Sequence, residues 1–129
     1  MKAHFEHLAI NVQDKDQVAQ WYKDHLGAQV AREVPGTMIF LKDDRGTVFL
    51  ELFSNSSAPV QNWAEVHYLT FHLAFEAEDP RAKAEYLMNH GATLAEAFRE
   101  AGGDQLIMLR DPFGIPLQLV KRTTPFQRK

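Results

Sequence analysis

The chain has 129 residues, of which 45% are hydrophobic and 24% charged, with a formal net charge of −3. This length fits one domain, and the hydrophobic content is enough for a buried core. The weakly acidic balance argues against a general nucleic-acid binder, and the lack of cysteine excludes disulfides, thiolate metal sites and a cysteine nucleophile.

The first half of the chain reads as a strand, a helix and three more strands. Residues 5–12, "FEHLAINV", alternate as a half-buried strand does. The run "QDKDQVAQWYKDHLG" predicts a helix that Asp14 or Asp16 caps and Gly27 ends. Its buried face is predicted to carry Val18, Trp21, Tyr22 and Leu26. The runs "AQVAREV", "TMIFLK" and "TVFLELF" predict strands, since "PG" and "DDRG" turns separate them.

The second half repeats this order. "YLTFHLAFE" predicts a strand and "DPRAKAEYLMNHG" a helix, with Asp79 as N-cap, Pro80 in the first turn and Gly91 at the stop. The inner face of this helix is predicted to hold Ala84, Leu87 and Met88. "TLAEAFRE", "QLIMLR" and "IPLQLV" then predict three more strands, with "AGGD" and "DPFG" as turns.

The two halves match at a nearly constant offset. His7 and His72 lie 65 residues apart, as do Asp14 and Asp79, and Glu51 and Gln118 lie 67 apart. Such agreement in order predicts two copies of one structural unit. We expect a single α+β domain over 1–129, with one βαβββ module over about 3–54, a linker over about 55–65 and a second module over about 66–122.

Alternation assigns the unusual polar residues to one face of each sheet. In the first strand Leu8, Ile10 and Val12 form the aliphatic face, which leaves His7 on the other. One helix per half covers only one face, so the second face is expected to line a cavity. That face would carry His7, Glu51, His72 and Gln118, with Phe49 and Phe53 as walls. Two imidazoles and a carboxylate suit a divalent ion such as Zn, Ni, Mn, Fe or Co.

Structural interpretations of the same residues stand beside this one. A single histidine on a half-buried strand is more often a hydrogen-bonded structural residue than a ligand. Glu51 can pair with an arginine such as Arg45 or Arg110. The remaining histidines are predicted to be surface or capping residues: His4, His25, His67 and His90.

Several segments resemble the vicinal oxygen chelate superfamily, which includes glyoxalase I, bleomycin-resistance proteins and extradiol dioxygenases. They are "HLAINVQDKDQVAQWYKDHLGAQV", "VFLELF", "LTFHLAF" and "LRDPFGIPLQLV". The resemblance implies paired βαβββ modules that form a cupped mixed sheet around a metal. Carried over by position, the ligands it implies are His7, Glu51, His72 and Gln118.

The last ligand departs from the pattern of most metal-dependent relatives, which have glutamate where this chain has Gln118. The resemblance also includes some glyoxalase I and methylmalonyl-CoA epimerase enzymes in which glutamine is the ligand. The resemblance therefore disfavours extradiol dioxygenase and fosfomycin-type chemistry, because both need that carboxylate. Glyoxalase-like and epimerase-like chemistry remains, with Glu51 as both ligand and catalytic base, since an amide accepts no proton. Glu76 is the next candidate base.

The first hypothesis is thus a glyoxalase-like, metal-dependent lyase or isomerase acting on a small oxygen-chelating substrate through an enolate-type intermediate. The alternative is a non-catalytic protein that binds a planar ligand, as bleomycin-resistance proteins do, through Phe40, Phe49, Phe53 and Trp63. A relative with a decayed metal site is a third. We expect a cytoplasmic protein without a membrane partner, because "MKAHFEHL" lacks a signal-peptide core and no apolar run spans a membrane. The weakly acidic charge predicts no nucleic-acid partner. We expect a homodimer, because sheets built from βαβββ units leave open edges that pairing can close.

Overall fold

The computed structural model describes residues 1–126 and divides the chain into two compact units. The first unit is Met1–Gln61, and the second begins at Asn62. The boundary falls inside the segment predicted as the linker. Within residues 1–126, no helix is long and apolar enough to cross a membrane.

Each unit has the predicted order of one strand, one helix and three strands. The first unit contains β1 (Ala9–Asn11), α1 (Lys15–Leu26), β2 (Gln29–Val34), β3 (Met38–Lys42) and β4 (Val48–Phe53). The second contains a short 3-10 helix (Trp63–Glu65), β5 (Leu73–Glu76), α2 (Pro80–Met88), β6 (Thr93–Ala101), β7 (Asp104–Arg110) and β8 (Pro116–Lys121).

The two four-stranded sheets have the same topology. Their strand orders are β1-β4-β3-β2 and β5-β8-β7-β6. The opening strand of each unit runs parallel to the closing strand, and the other pairs are antiparallel. The predicted α+β class, with two βαβββ modules and mixed sheets, is confirmed.

Side-chain caps fix the helix starts where the sequence predicts them. Asp14 accepts hydrogen bonds from the backbone N–H groups of Asp16 and Gln17, and Asp79 accepts one from that of Ala82. Gly27 ends α1 with a left-handed φ of 69°.

The end of α2 differs from the prediction. The helix stops at Met88 with Asn89 as its C-cap, two residues before Gly91. Met88, the last residue of the helix, is 38% exposed rather than buried. Ala84 and Leu87 are buried as predicted.

The helix of each unit covers the aliphatic face of its sheet. In the first unit α1 packs on β3 and β4, where it buries Val18 and Tyr22. In the second unit α2 packs on β7 and β8. The aliphatic side chains beneath the helices are fully buried: Leu41, Leu50, Leu52, Leu109, Leu117 and Leu119. The other face of each sheet is therefore the one that carries the candidate site.

The opening strand is shorter than predicted. The structure gives Ala9–Asn11 rather than 5–12, so His7 precedes the strand. Leu8 is 37% exposed although alternation assigns it to the aliphatic face. Leu8 lies before the strand, whereas Ile10 and Val12 are buried as alternation predicts.

A bulge in β4 changes the direction of one predicted site residue. Leu41 pairs with Leu50 and Lys42 with Val48, which leaves Phe49 as an extra residue. The ring centroid of Phe49 lies 6.5 Å from that of the buried Tyr22 of α1. The prediction that Phe49 shares the face of Glu51 is wrong, because a bulge interrupts the alternation on which it was based.

Candidate functional site

The candidate ligands occupy equivalent places in the two sheets. Ala9 is paired with Glu51 between β1 and β4, and Ala74 is paired with Gln118 between β5 and β8. A histidine lies two residues before each of these alanines, at positions 7 and 72. The internal repeat predicted from the sequence is therefore present in the strand register itself.

In the first unit the structure brings His7 and Glu51 into contact. Nε2 of His7 lies 3.1 Å from Oε1 of Glu51. The Glu51 side chain is only 8% exposed and that of His7 is 30% exposed. The ring of Phe40 meets the imidazole edge-on, with centroids 5.2 Å apart. Arg110, considered above as a partner for Glu51, donates instead to backbone carbonyls of the second unit.

The other nitrogen of the same imidazole also faces a carboxylate. Nδ1 of His7 lies 2.8 Å from Oε1 of Glu6. An ionised carboxylate only accepts hydrogen bonds, so a proton or a cation must lie between each nitrogen and the oxygen it faces. If both carboxylates are ionised, the imidazole either carries two protons, or donates from Nδ1 and offers its Nε2 lone pair to a cation shared with Glu51. A protonated Glu51 would instead donate its own proton to Nε2.

The geometry of the His7–Glu51 pair fits such a shared cation. Two donor atoms each about 2.0–2.2 Å from one ion, at angles between octahedral and tetrahedral, are separated by roughly 2.8–3.6 Å. The observed separation of 3.1 Å lies within that range, and it is also that of an ordinary N–H···O hydrogen bond. Glu6 then has the role that outer carboxylates have toward metal-binding histidines, in which they fix the tautomer and the ring orientation.

In the second unit the backbone orients the histidine. Nδ1 of His72 lies 2.7 Å from the carbonyl oxygen of Tyr68. A carbonyl only accepts, so Nδ1 of His72 carries the proton and donates it. In the neutral ring Nε2 then holds a lone pair that can bind a metal ion.

Tyr68 also links this histidine to the far edge of its sheet. Its hydroxyl donates a 2.9 Å hydrogen bond to Oε2 of Glu96 on β6, and Oε1 of Glu96 lies 3.3 Å from Nε of Arg99. The pKa of Tyr68 is raised above its usual value of 10.0, first because its hydroxyl donates to Glu96 and then because of partial burial and the Glu96 charge.

Sequence reasoning missed Tyr68 and Glu96. Glu96 pairs with Met108, which pairs with Gln118 on the next strand, so the three residues form one row across the sheet. The register shifts between Leu94 and Glu96, so alternation within the β6 sequence does not reveal this placement. The remaining signal, a tyrosine shortly before a repeated histidine, is too weak to identify a site.

The four predicted ligands are divided equally between the units. His7 and Glu51 belong to the first unit, and His72 and Gln118 to the second. Among residues 1–126, no group of three or more His, Cys, Asp or Glu side chains is arranged to hold a metal ion. The ligand set stays a prediction, with one histidine and one oxygen donor in each unit. The second candidate base, Glu76, lies on β5 and is exposed.

The other histidines have local environments. His4 is exposed, and the ring of His25 lies 5.4 Å from that of Trp21. His67 accepts a hydrogen bond at Nδ1 from the backbone N–H of Leu69. His90 donates from Nδ1 to the Tyr86 carbonyl at 2.8 Å. These contacts are local, and the interpretation of the four histidines as surface or capping residues stays a prediction.

Paired βαβββ units with a histidine before each opening strand and an oxygen donor on each closing strand define the class of protein to which this chain belongs. The family model of the Glyoxalase/Bleomycin resistance protein/Dioxygenase superfamily matches residues 4–119. The chain belongs to this superfamily, and the resemblance noted in the sequence is confirmed. No curated protein matches the chain.

Solved structures show the same fold. SMU.1112c is 28% identical, with a TM-score of 0.68 over 92% of this chain and 98% of its own. A lactoylglutathione lyase from Agrobacterium tumefaciens is 21% identical, with a TM-score of 0.65 over 92% of this chain and 93% of its own. A glyoxalase/bleomycin resistance protein from Albidiferax ferrireducens T118 is 22% identical, with a TM-score of 0.64 over 92% of this chain and 98% of its own.

Proposed function

We propose that this protein is a metal-dependent lyase or isomerase of the glyoxalase kind, which acts on a small oxygen-chelating substrate through an enolate-type intermediate. The observation that carries the proposal is the His7–Glu51 pair, with donor atoms 3.1 Å apart and Glu6 behind the imidazole. Of the arrangements that satisfy a histidine between two carboxylates, a divalent ion at its second nitrogen is the one that the superfamily membership favours.

The proposed ligands are His7 and Glu51 from one unit and His72 and Gln118 from another, within one chain or between two. This set of two imidazoles, a carboxylate and an amide suits Zn, Ni, Mn, Fe or Co. A bound divalent ion would act as a Lewis acid toward a substrate oxygen and would stabilise the negative charge that develops there. With one anionic ligand, the site would keep a net charge of +1.

Glu51 is proposed as the base. It would accept the proton from the carbon next to the substrate carbonyl, which leaves the electron pair in the enolate. The proton then returns to the neighbouring carbon in an isomerase, or the electron pair expels a leaving group in a lyase. The Gln118 amide cannot take this part, because it accepts no proton near neutral pH.

The neighbours of the pair would orient it. Glu6 accepts the Nδ1 proton of His7 and so keeps Nε2 toward Glu51. Phe40 packs edge-on against the imidazole and limits its rotation. A proton transfer needs its base held in one position, so these contacts support catalysis better than a freely rotating side chain would.

The active form is proposed to be a homodimer. Each sheet has open edges, and β2, the edge strand of the first sheet, is exposed at all six of its residues. Exposed edge strands are commonly covered in stable proteins, and pairing with a second copy is one way to cover them.

The rival hypothesis is a non-catalytic protein that binds a planar ligand through aromatic side chains. It receives less support, because Phe49 packs toward α1 and Trp63 packs against Phe71, with ring centroids 5.1 Å apart. The ring of Phe40 contacts the His7 imidazole, and this contact serves the metal-site hypothesis as well as it serves the rival.

A proton-exchange experiment tests the proposal even while the natural substrate is unidentified. Small α-hydroxycarbonyl and α-ketothioester compounds are incubated in D₂O with metal-loaded protein, and deuterium at the carbon next to the carbonyl is measured by NMR. The proposal expects metal-dependent exchange that Glu51→Gln abolishes. Metal uptake without exchange for any compound, combined with tight binding of planar ligands, would favour the rival.

A further inference from the structure

We propose that Tyr68, anchored to Glu96 through its hydroxyl, is a positioning residue that holds the imidazole of His72 with Nδ1 protonated and Nε2 free to bind a metal ion. The inference rests on the proposed metal-dependent function and deepens it. In this inference Tyr68, which is not itself a ligand, keeps His72 in the tautomer that can bind a metal ion.

The contact with the histidine is direct. The Tyr68 carbonyl oxygen lies 2.7 Å from Nδ1 of His72. Since a carbonyl has no proton to give, this hydrogen bond exists only when Nδ1 of His72 is protonated. The same hydrogen bond sets the ring orientation, so the carbonyl position determines where Nε2 lies.

The strand ladder does not fix that carbonyl. Strand β5 begins at Leu73, so Tyr68 and His72 both lie before it. The segment is a tight turn in which the His67 carbonyl accepts from the N–H groups of Thr70 and Phe71, at 2.9 and 3.4 Å. A turn of this kind needs an anchor if its carbonyl groups are to keep one position.

The Tyr68 side chain provides the anchor. Its hydroxyl donates to Glu96, 28 residues further along the chain, at 2.9 Å. Arg99 lies 3.3 Å from the other oxygen of the same carboxylate and orients it. The Tyr68 ring also stacks on His67, with centroids 4.4 Å apart. The turn is thus tied to β6, whose Glu96 lies in the same cross-strand row as Gln118.

The two units orient their histidines through different hydrogen-bond acceptors. In the first unit the side chain of Glu6, the residue before the histidine, accepts the Nδ1 proton of His7. In the second unit a backbone carbonyl takes this part for His72, and a distant carboxylate holds the tyrosine. A side-chain acceptor can be removed directly by mutation. A backbone acceptor cannot, so the test removes its anchor.

The molecule contains a matched control. Tyr86 and His90 have the same spacing of four residues as Tyr68 and His72, and Nδ1 of His90 lies 2.8 Å from the Tyr86 carbonyl oxygen. This second pair lies at the end of α2 and outside the proposed ligand set. Tyr86→Phe therefore removes a tyrosine hydroxyl beside an equivalent histidine contact without changing the candidate site.

The experiment uses the metal-free full-length protein at about pH 8, where an ordinary imidazole is neutral. Long-range ¹H–¹⁵N correlation spectra report the tautomer of His72, and titration with Co²⁺ and Zn²⁺ reports affinity. We expect a single Nδ1–H tautomer for His72 in the wild type. Tyr68→Phe should give a mixture of tautomers and a metal affinity lower by roughly 10–100-fold, the usual cost of losing an outer partner. Tyr86→Phe should change neither.

Glu96 variants provide a second test in the same experiment. Glu96→Gln keeps an acceptor for the Tyr68 hydroxyl and should retain the wild-type tautomer, whereas Glu96→Ala should behave as Tyr68→Phe does. The inference is overturned if Tyr68→Phe and Glu96→Ala both keep the wild-type tautomer. It is equally overturned if their metal affinity stays within about twofold of the wild type, well short of that usual cost. A wild-type protein that binds none of Zn²⁺, Co²⁺, Ni²⁺, Mn²⁺ and Fe²⁺ refutes the proposed function, while the tautomer spectra still decide whether Tyr68 positions His72.

Discussion

Nε2 of His7 lies 3.1 Å from Oε1 of Glu51, although the histidine precedes the first strand and the two residues are 44 positions apart. The backbone of the parallel β1–β4 pair brings them together, because the Glu51 N–H donates to the Leu8 carbonyl at 2.7 Å. The position equivalent to Ala9 in the second unit is Ala74, paired with Gln118. Each unit thus places a histidine and an oxygen donor at the same point of its sheet.

Metal uptake should depend on both histidines. Protein purified without a histidine tag is expected to bind about one divalent ion per paired-unit site, measured by elemental analysis and by titration. His7→Ala and His72→Ala should each weaken binding strongly, because each removes one nitrogen donor. His90→Ala is the control and should bind as the wild type does. Full metal content in the double His7→Ala, His72→Ala variant would refute the ligand assignment.

Removing the charge at Glu51 and adding one at Gln118 should distinguish a role in metal binding from a role in proton transfer. Glu51→Gln keeps an oxygen donor and removes the base, so turnover should fall by roughly 10²–10⁴ while metal still binds. Gln118→Glu adds an anionic ligand and should tighten metal binding, with activity kept or raised. The measurement is kcat for each variant at saturating metal. Wild-type turnover in Glu51→Gln would move the base elsewhere, with Glu76 tested next.

Sedimentation should detect a homodimer at micromolar concentration. The expectation rests on the exposed edge strand β2 (Gln29–Val34) and on the open edges of both sheets. A wild-type chain that sediments as a strict monomer over the whole range would contradict the prediction.

Acid stability should depend on Asp104. Its carboxylate accepts from the Thr123 N–H and from Arg122, both at 2.9 Å, and these contacts hold its pKa below the usual 3.8, the Thr123 hydrogen bond first. A carboxyl with a lowered folded-state pKa stabilises the protein above its unfolded-state value. That contribution is lost as the pH falls below about 3.8 toward the folded-state pKa.

Thermal unfolding from about pH 6 to about pH 2.5, a range that spans the titration of an ordinary aspartate, measures this contribution. Asp104→Asn should lower the melting temperature at the upper end of that range and reduce its further decrease at the acid end. Asp44→Asn, in the exposed turn before β4, is the control and should follow the wild-type curve. Parallel curves for wild type and Asp104→Asn across the whole range would show that ionisation of this carboxylate contributes nothing to stability.

Substitution by alanine should destabilise the protein far more at Gly114 than at Gly36, because the backbone of Ala64 lies close to Gly114. Both have positive φ, 89° and 75°, so alanine strains the backbone at either position by about 1–2 kcal/mol. A Cβ at Gly114 would also lie 2.7 Å from the backbone nitrogen of Ala64, whereas one at Gly36 meets nothing within 4 Å. Gly114→Ala should therefore cost roughly 1–3 kcal/mol more in unfolding free energy. Equal costs in urea titrations would show that the chain around Ala64 yields freely.

Sequence patterns alone determined the repeated architecture. Caps at Asp14 and Asp79, the constant offset between the halves and period-two alternation are local signals, and they predict the βαβββ order because propensity and side-chain capping act over a few residues. The same alternation selected His7 and Glu51, and the structure brings these two side chains into contact. No bulge lies between Glu51 and Phe53, so the pattern stays valid there.

Only the tertiary structure decided which way several side chains point and what holds them. The bulge at Phe49 and the register shift before Glu96 change the facing of strand residues, and each depends on how the neighbouring strand pairs rather than on the local sequence. The hydrogen bond from Tyr68 to Glu96 joins residues 28 apart. Contacts of this range form only after the chain has folded, so the pattern of residues along one strand carries no signal for them.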